Sequence, residues 1–257
     1  MTPYLPPAIR KWVDALPHTV DQTGRSGAQV LCFPTCVLKI RPDNALARRE
    51  SALLRWLDGR LPAPEIIESV QEDGTDYLLM TRLSGQMLCE PNYLDQPERL
   101  CELLAEAMHM LHHTDASGCP VDRRLDVVLT EAEAHVRQGL CNADGYKAFG
   151  SAANLLDWLV RNKPAENLTL THGDCCLPNI LADSNGVSGL IDLGDGGLAD
   201  PYIDYSLCWK SLENNLNGFF GGPVRPVPDK QLLFDCLGVT PDWDKLEYYL
   251  LLDRLYW

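Results

Sequence analysis

The spacing of apolar residues changes about a third of the way along the chain. In the first 80 or so residues the apolar runs are short. Residues 30–33, 37–40 and 77–81 are apolar segments of strand length, separated by turn-forming residues. A helix is predicted from residue 45 to about 57, capped by Asn44 and followed by Gly59, with a Pro62-x-Pro64 break after it. Ser84 and Gly85 read as a connector. Beyond them the period becomes helical. Leu100, Leu103, Leu104, Ala107, Met108 and Leu111 share one face of a long helix, predicted to start at Asp95 with Glu98 completing a capping box. Residues 125–159 read as largely helical with a break at 144–150, and two strands then precede helices that run to the C-terminus. No internal repeat or low-complexity segment interrupts this order. The pattern predicts an α+β chain: a small β-rich lobe over residues 1–83 joined to a larger, mainly helical lobe over residues 84–257.

Composition narrows the classes of function. A formal charge of −14 argues against a nucleic-acid binder, which needs a basic surface to neutralise phosphates. It is compatible with a cationic ligand, although solubility alone would account for it. No apolar run approaches the roughly 20 residues needed to cross a bilayer. The proline-rich first ten residues lack a signal-peptide layout, so a cytoplasmic protein is expected. None of the ten cysteines forms a C-x-x-C pair, which argues against zinc and for reduced thiols, most of them in the core. His109, His112 and His113 cluster near the end of the long helix and are expected to be structural.

Chemistry concentrates in residues 167–200. His172-Gly173-Asp174 is followed by Asn179 and then by Ile191-Asp192-Leu193-Gly194. Two apolar runs flank Asn185-Gly186, a strong hairpin signal. If those two residues form the turn, Ser184 faces Val187 and Asn179 faces Asp192. Directly opposed residues have Cβ atoms about 4.5–5.5 Å apart, close enough to share one hard cation. An amide oxygen and a carboxylate suit Mg²⁺, with nucleotide phosphates and water completing the shell. Asp174, on the preceding loop, could accept the proton of an attacking hydroxyl or hold it in line. His172 is expected to brace the loop by hydrogen bonding.

The small lobe offers a complementary pair. Lys39 shares a strand face with Val37, and Glu50 sits among Leu46, Leu53, Leu54 and Leu57 on the inward face of its helix. A carboxylate placed there needs a partner. Lys39 is the natural one, which would aim its ammonium at the α- and β-phosphates. Residues 24–27, with Ser26 at the tip, could cover the phosphates. Residues 80–84 could meet the adenine through the backbone.

His172-Gly173-Asp174, Leu177-Pro178-Asn179-Ile180 and the run Ser188-Gly189-Leu190-Ile191-Asp192-Leu193-Gly194, extending through Ala199-Asp200 and Asp204, resemble the catalytic and magnesium motifs of aminoglycoside 3'-phosphotransferases. The tail, Leu237-Gly238-Val239-Thr240-Pro241-Asp242-Trp243-Asp244 with Tyr248-Tyr249 and Asp253, is similar to that subfamily in particular. The resemblance implies a protein-kinase-like bilobal fold, ATP and Mg²⁺ as cofactors, and transfer to the 3'-hydroxyl of an aminoglycoside antibiotic, conferring resistance. By the same resemblance Asp174 is the base, Asn179 and Asp192 hold Mg²⁺, and Lys39 holds phosphate. Asp253 and the carboxylate of Trp257 bind the drug's ammonium groups. The implied partner is a small cationic molecule, with the protein a monomer or weak dimer.

The chain departs from the family at two charged positions. Arg254 stands where a second acidic residue is usual, and Asp195 stands where an arginine is usual. Arg254 would repel an ammonium and Asp195 would attract one. The substrate thus stays open between an aminoglycoside and another small alcohol such as choline, a sugar or a macrolide. Asp200, followed by Pro201, is expected to cap a helix.

Overall fold

Seven residues at the N-terminus make a helix that the proline-rich composition concealed. In the computed structural model, which describes residues 4–21, 27–141 and 147–256, α1 (Pro7–Val13) starts with proline at its first turn and buries Ile9 and Val13. It lies against an antiparallel sheet of β1 (Thr19–Val20), β2 (Gln29–Cys32), β3 (Cys36–Pro42), β4 (Ile66–Glu72) and β5 (Thr75–Thr81), in the order β1-β2-β3-β5-β4. Between β3 and β4 runs α2 (Ala45–Leu57), whose first-turn amide, Ala47 N–H, donates to the Asn44 side chain, as the capping signal predicts.

The alternation along β3 divides two cores. Leu38 and Ile40 pack with Ile9, Val13, Leu31, Phe33 and Leu79 in a small outer cluster. On the opposite face, Val37 packs against the main core, which also contains Leu53, Leu54 and Leu57 of α2. That core continues into the helical lobe, so α2 belongs to the packing of both halves of the chain.

The helical part follows a short β6 (Gln86–Met87). It contains α3 (Pro91–Leu94), α4 (Pro97–His112), α5 (Leu125–Gln138), α6 (Ala152–Arg161), α7 (Tyr202–Leu216), α8 (Lys230–Leu237) and α9 (Trp243–Asp253). Leu100, Leu103, Leu104, Met108 and Leu111 of α4 are fully buried, as their spacing requires. The predicted start of this helix is wrong. Asp95 is not its cap: Gln96 holds that position without a side-chain cap bond, Pro97 begins the helix, and Asp95 instead pairs with Arg225 at 2.7 Å. A proline suits the first helical position because its fixed φ is already helical and its missing N–H would have had no intrahelical partner.

Short paired strands surround the 167–200 segment. β7 (Thr169–Thr171) pairs with β10 (Gly197–Ala199), and the hairpin of β8 (Ile180–Asp183) and β9 (Gly186–Leu190) extends β6. The hairpin register differs from the sequence expectation. Asp183 faces Gly186 and Ile180 faces Leu190, so Ser184 and Asn185 are the turn and Asn179 lies opposite Ile191, not Asp192. The Asp183 carboxylate accepts from Asn185 N–H at 2.7 Å, and this local side-chain bond competes successfully with the Asn-Gly turn. A bulge then shifts the ladder by one residue and leaves Ser188 unpaired, with its hydroxyl donating to the Ser84 carbonyl at 2.7 Å.

Candidate active site

Asp174 sits on the loop after β7, and a buried carboxylate shapes that loop. Asp204, fully buried on α7, accepts from His172 N–H at 3.0 Å, Gly173 N–H at 2.9 Å and His112 Nε2–H at 2.9 Å. His172, also fully buried, braces the loop as expected. Its Nε2–H donates to the Ile191 carbonyl at 3.0 Å, and Nδ1 accepts from Asp174 N–H at 3.3 Å. Gly173 has φ +77°, and a Cβ there would collide with the Asp195 carbonyl, so only glycine fits. Asn179 then clamps Asp174: its Nδ2 donates to the Asp174 backbone oxygen at 3.0 Å and to Oδ2 at 2.9 Å.

Asp192 reaches the same place by a different route from the one its spacing suggested. Ile191 N–H donates to the Asn179 carbonyl at 2.9 Å, and the chain then turns through a left-handed Asp192 with φ +60°. A non-glycine residue in that region stores about 1 kcal/mol or more and persists only where its surroundings hold it. Here Lys39 does so, its ammonium 2.5 Å from Asp192 Oδ1 and 3.1–3.2 Å from both Glu50 oxygens. Arg41 also binds Glu50, and it meets Asp76 at 3.1 Å. The Lys39–Glu50 pair expected from the sequence therefore exists, within a larger buried network.

Burial works against the charge on Lys39, but Glu50 and Asp192 outweigh it and raise its pKa. Burial likewise raises Asp192, and Lys39 more than reverses this, holding it below the ordinary carboxylate range. Both shifts favour the ion pair. Asp192's lowered pKa stabilises the fold above its unfolded value near 4, and this is lost as pH falls through the lowered value. Lys39's raised pKa stabilises it below about 10.4, and this is lost above that range. The stability difference between wild type and Lys39→Met is therefore expected to stay level from about pH 5 to 9 and to shrink on further acidification. Urea titrations at a series of pH values measure it, and a gap that widens below pH 4 contradicts the assignment.

A cleft opens beside Asp174, lined also by Arg123, Asp195, Ile203, Leu207, Tyr249, Leu252, Asp253 and Tyr256. It brings together three expected residues, Asp174, Asp195 and Asp253. Neither of the latter two is an isolated charge. Asp195 Oδ1 lies 3.7 Å from both Arg49 and Arg123, which also bind Glu131 at 2.6 and 2.7 Å. Asp253 pairs with Lys210. Burial raises the pKa of both carboxylates despite these cations, and the nearby charge of Asp174 adds to the rise. The attraction expected of Asp195 is thus largely spent within the protein.

A model of the "Phosphotransferase enzyme family" matches residues 22–249. The chain belongs to this family. It is 36% identical over 97% of both chains to an aminoglycoside 3'-phosphotransferase of Enterococcus faecalis, and 33% identical to one of Niallia circulans over 93% of this chain and 92% of that one. Among solved structures, an aminoglycoside-3'-phosphotransferase of type VIII superposes with TM-score 0.79 at 27% identity, covering 96% of each chain. An aminoglycoside phosphotransferase of Streptomyces rimosus shares the fold with TM-score 0.81 at 24% identity over 97% of this chain and 96% of that one. The architecture is the α+β, protein-kinase-like fold of this phosphotransferase family.

Two expected site residues, Ser26 and Trp257, lie outside the described residues, as do Gly24 and residues 144–146 of the expected break. Asp200 is structural as expected, but Pro201, not Asp200, holds the N-cap position of α7; Asp200 accepts from Tyr202 N–H at 3.0 Å and pairs with Lys245 at 2.5 Å. All ten cysteines are free thiols, four of them buried and six half-buried. Cys176 beside Asp174 is held well above the usual thiol pKa by burial and by that carboxylate. Sequence reasoning missed Arg41, Arg123 and Lys210, and it named Asp204 only as part of the motif run, without its role as the acceptor that shapes the loop. Arg41 was findable, since it is two residues from Lys39 on the same strand face. The others come from elements distant in sequence. Among the described residues no helix is long and apolar enough to cross a membrane.

Proposed function

We propose that this phosphotransferase moves the γ-phosphoryl group of ATP to the 3'-hydroxyl of an aminoglycoside. The observation that carries the reading is the junction at Ile191. There Ile191 N–H donates to the Asn179 carbonyl, Ile191 C=O accepts from His172, and the next residue, Asp192, pairs with Lys39, which supports a reading in which the Asp174 carboxylate and the Lys39 ammonium serve one reaction. The full-length relatives named as aminoglycoside 3'-phosphotransferases supply the substrate class.

Asp174 would hold the attacking hydroxyl and accept its proton as the bond to phosphorus forms. Lys39, kept charged and aimed by Glu50, would bind the α- and β-phosphates. The donor set fits Mg²⁺. Asn179 spends its NH₂ on Asp174 and keeps its amide oxygen, and Asp192 gives one oxygen to Lys39 and keeps the other. One or two such oxygens with phosphates and water are the usual Mg²⁺ arrangement. When bound, the ion neutralises charge on the phosphate oxygens. We further place Ser26 over the phosphates, Asp253, Asp195 and the Trp257 carboxylate at the drug's ammonium groups, and the nucleotide lobe at residues 1–83 with the substrate lobe at 84–257. The free thiols and the use of ATP support a cytoplasmic protein, and a monomer or weak dimer suffices for this chemistry.

A second reading, a kinase of another small alcohol, is favoured by one observation: Asp195 and Asp253 of the cleft already carry cations. An ATP-coupled assay across kanamycin, neomycin, choline and a macrolide separates the two. Turnover confined to the aminoglycosides, with the product phosphorylated at the 3'-oxygen, is expected. Turnover of choline or the macrolide alone would overturn the first reading.

A further inference from the structure

Asp253 occupies the wall of the cleft with only 5% of its side chain exposed, while Lys210, its partner, is 42% exposed. Ile203 and Leu207 line the same cleft from α7, and Lys210 follows them at i+7 and i+3. Residues at that spacing share a helix face, so Lys210 continues the cleft-lining face toward solvent. The lysine is therefore the outer cover of an inner carboxylate. A bridge with one half-solvated member adds little to stability, whereas an uncompensated buried carboxylate is costly. The arrangement keeps Asp253 paired for as long as the cleft holds no other cation.

We infer that Lys210 is a specificity-determining residue whose ammonium holds the place at Asp253 that a substrate ammonium takes, so that binding exchanges one ammonium for another. This rests on the aminoglycoside reading above. The exchange keeps the buried carboxylate compensated before and after binding. It also rejects neutral alcohols, which cannot displace the lysine and would leave Asp253 no better paired than before. A molecule with several ammonium groups can anchor elsewhere first and then compete at high local concentration. Asp195, more loosely held at 3.7 Å by Arg49 and Arg123, is a softer version of the same device.

Steady-state kinetics of Lys210→Met, with Lys210→Gln as a variant that keeps a donor for Asp253, test the exchange. With the internal competitor gone, KM for kanamycin is expected to fall roughly three- to tenfold in both variants while kcat stays within about twofold. The thermal shift produced by kanamycin should exceed that of wild type, and Lys210→Arg should restore the wild-type KM. A KM that is unchanged or higher in a folded Lys210→Gln protein, with a lowered melting temperature that kanamycin does not offset, would make Lys210 a structural residue only. If wild type itself turns over no aminoglycoside, the substrate reading fails instead, and the two failures are told apart in one set of assays.

Discussion

Asp174→Ala is expected to lower kcat by about 10²- to 10⁴-fold, the range supplied by a positioned general base. The fold should survive. The Asp174 side chain accepts from Asn179 Nδ2 and from the weakly donating Cys176 thiol, and the Asn179 nitrogen also holds the Asp174 backbone oxygen, which alanine retains. The loss in stability should stay near 1 kcal/mol, the usual net worth of one hydrogen bond. Nucleotide affinity should also persist, because Lys39, Glu50 and Asp192 do not depend on that carboxylate. Kinetics, fluorescence titration with a nucleotide analogue and thermal melting read the three quantities separately. Near-normal turnover in a folded, nucleotide-binding variant would remove Asp174 from its role.

Asp204→Ala should act in the opposite way, on the fold first. One fully buried carboxylate satisfies two consecutive loop amides and an imidazole N–H. Its removal leaves all three donors without that acceptor in a dry site, at a cost of about 3–5 kcal/mol. For a chain of this size each kcal/mol lowers the melting temperature by roughly 2–4 °C, so a drop on the order of 10 °C is expected. Turnover should fall as well, since the loop presents Asp174. Asp204→Asn keeps one acceptor oxygen and should recover part of both losses. A melting temperature within about 2 °C of wild type in Asp204→Ala would show that water or a rearranged loop replaces the carboxylate, and would contradict this account.

These two aspartates also mark how far the sequence reaches. Asp174 was legible because Gly173, Asn179 and Asp192 accompany it at close spacing, and each has a local reason to be there. The helix at 45–57 was legible from its cap and apolar face, and so was the inward Glu50, because a carboxylate among leucines demands a partner. Asp204 was named only within the motif run, and nothing in its local spacing gave its role. Its donors are His112, His172 and Gly173, up to 92 residues away, and only packing α4 and α7 around the loop brings them together. The Asp192 position was reached by a mistaken path. The hairpin that would have paired it with Asn179 is out of register by one residue, and the left-handed turn at Asp192, not the strand ladder, delivers its carboxylate to Lys39.

Local periodicity, capping and motif spacing thus determined the two-part α+β architecture, the buried Lys39–Glu50 pair and the identity of the Asp174 segment, since each depends on neighbours within a few turns of chain. Tertiary structure alone decided which charges are already spent. Whether Asp195 and Asp253 face the cleft as open anions or as members of ion pairs depends on Arg49, Arg123 and Lys210, brought in from other helices and loops. The energy of a charge is set by what lies within a few ångströms of it, and for these groups those neighbours are distant in sequence.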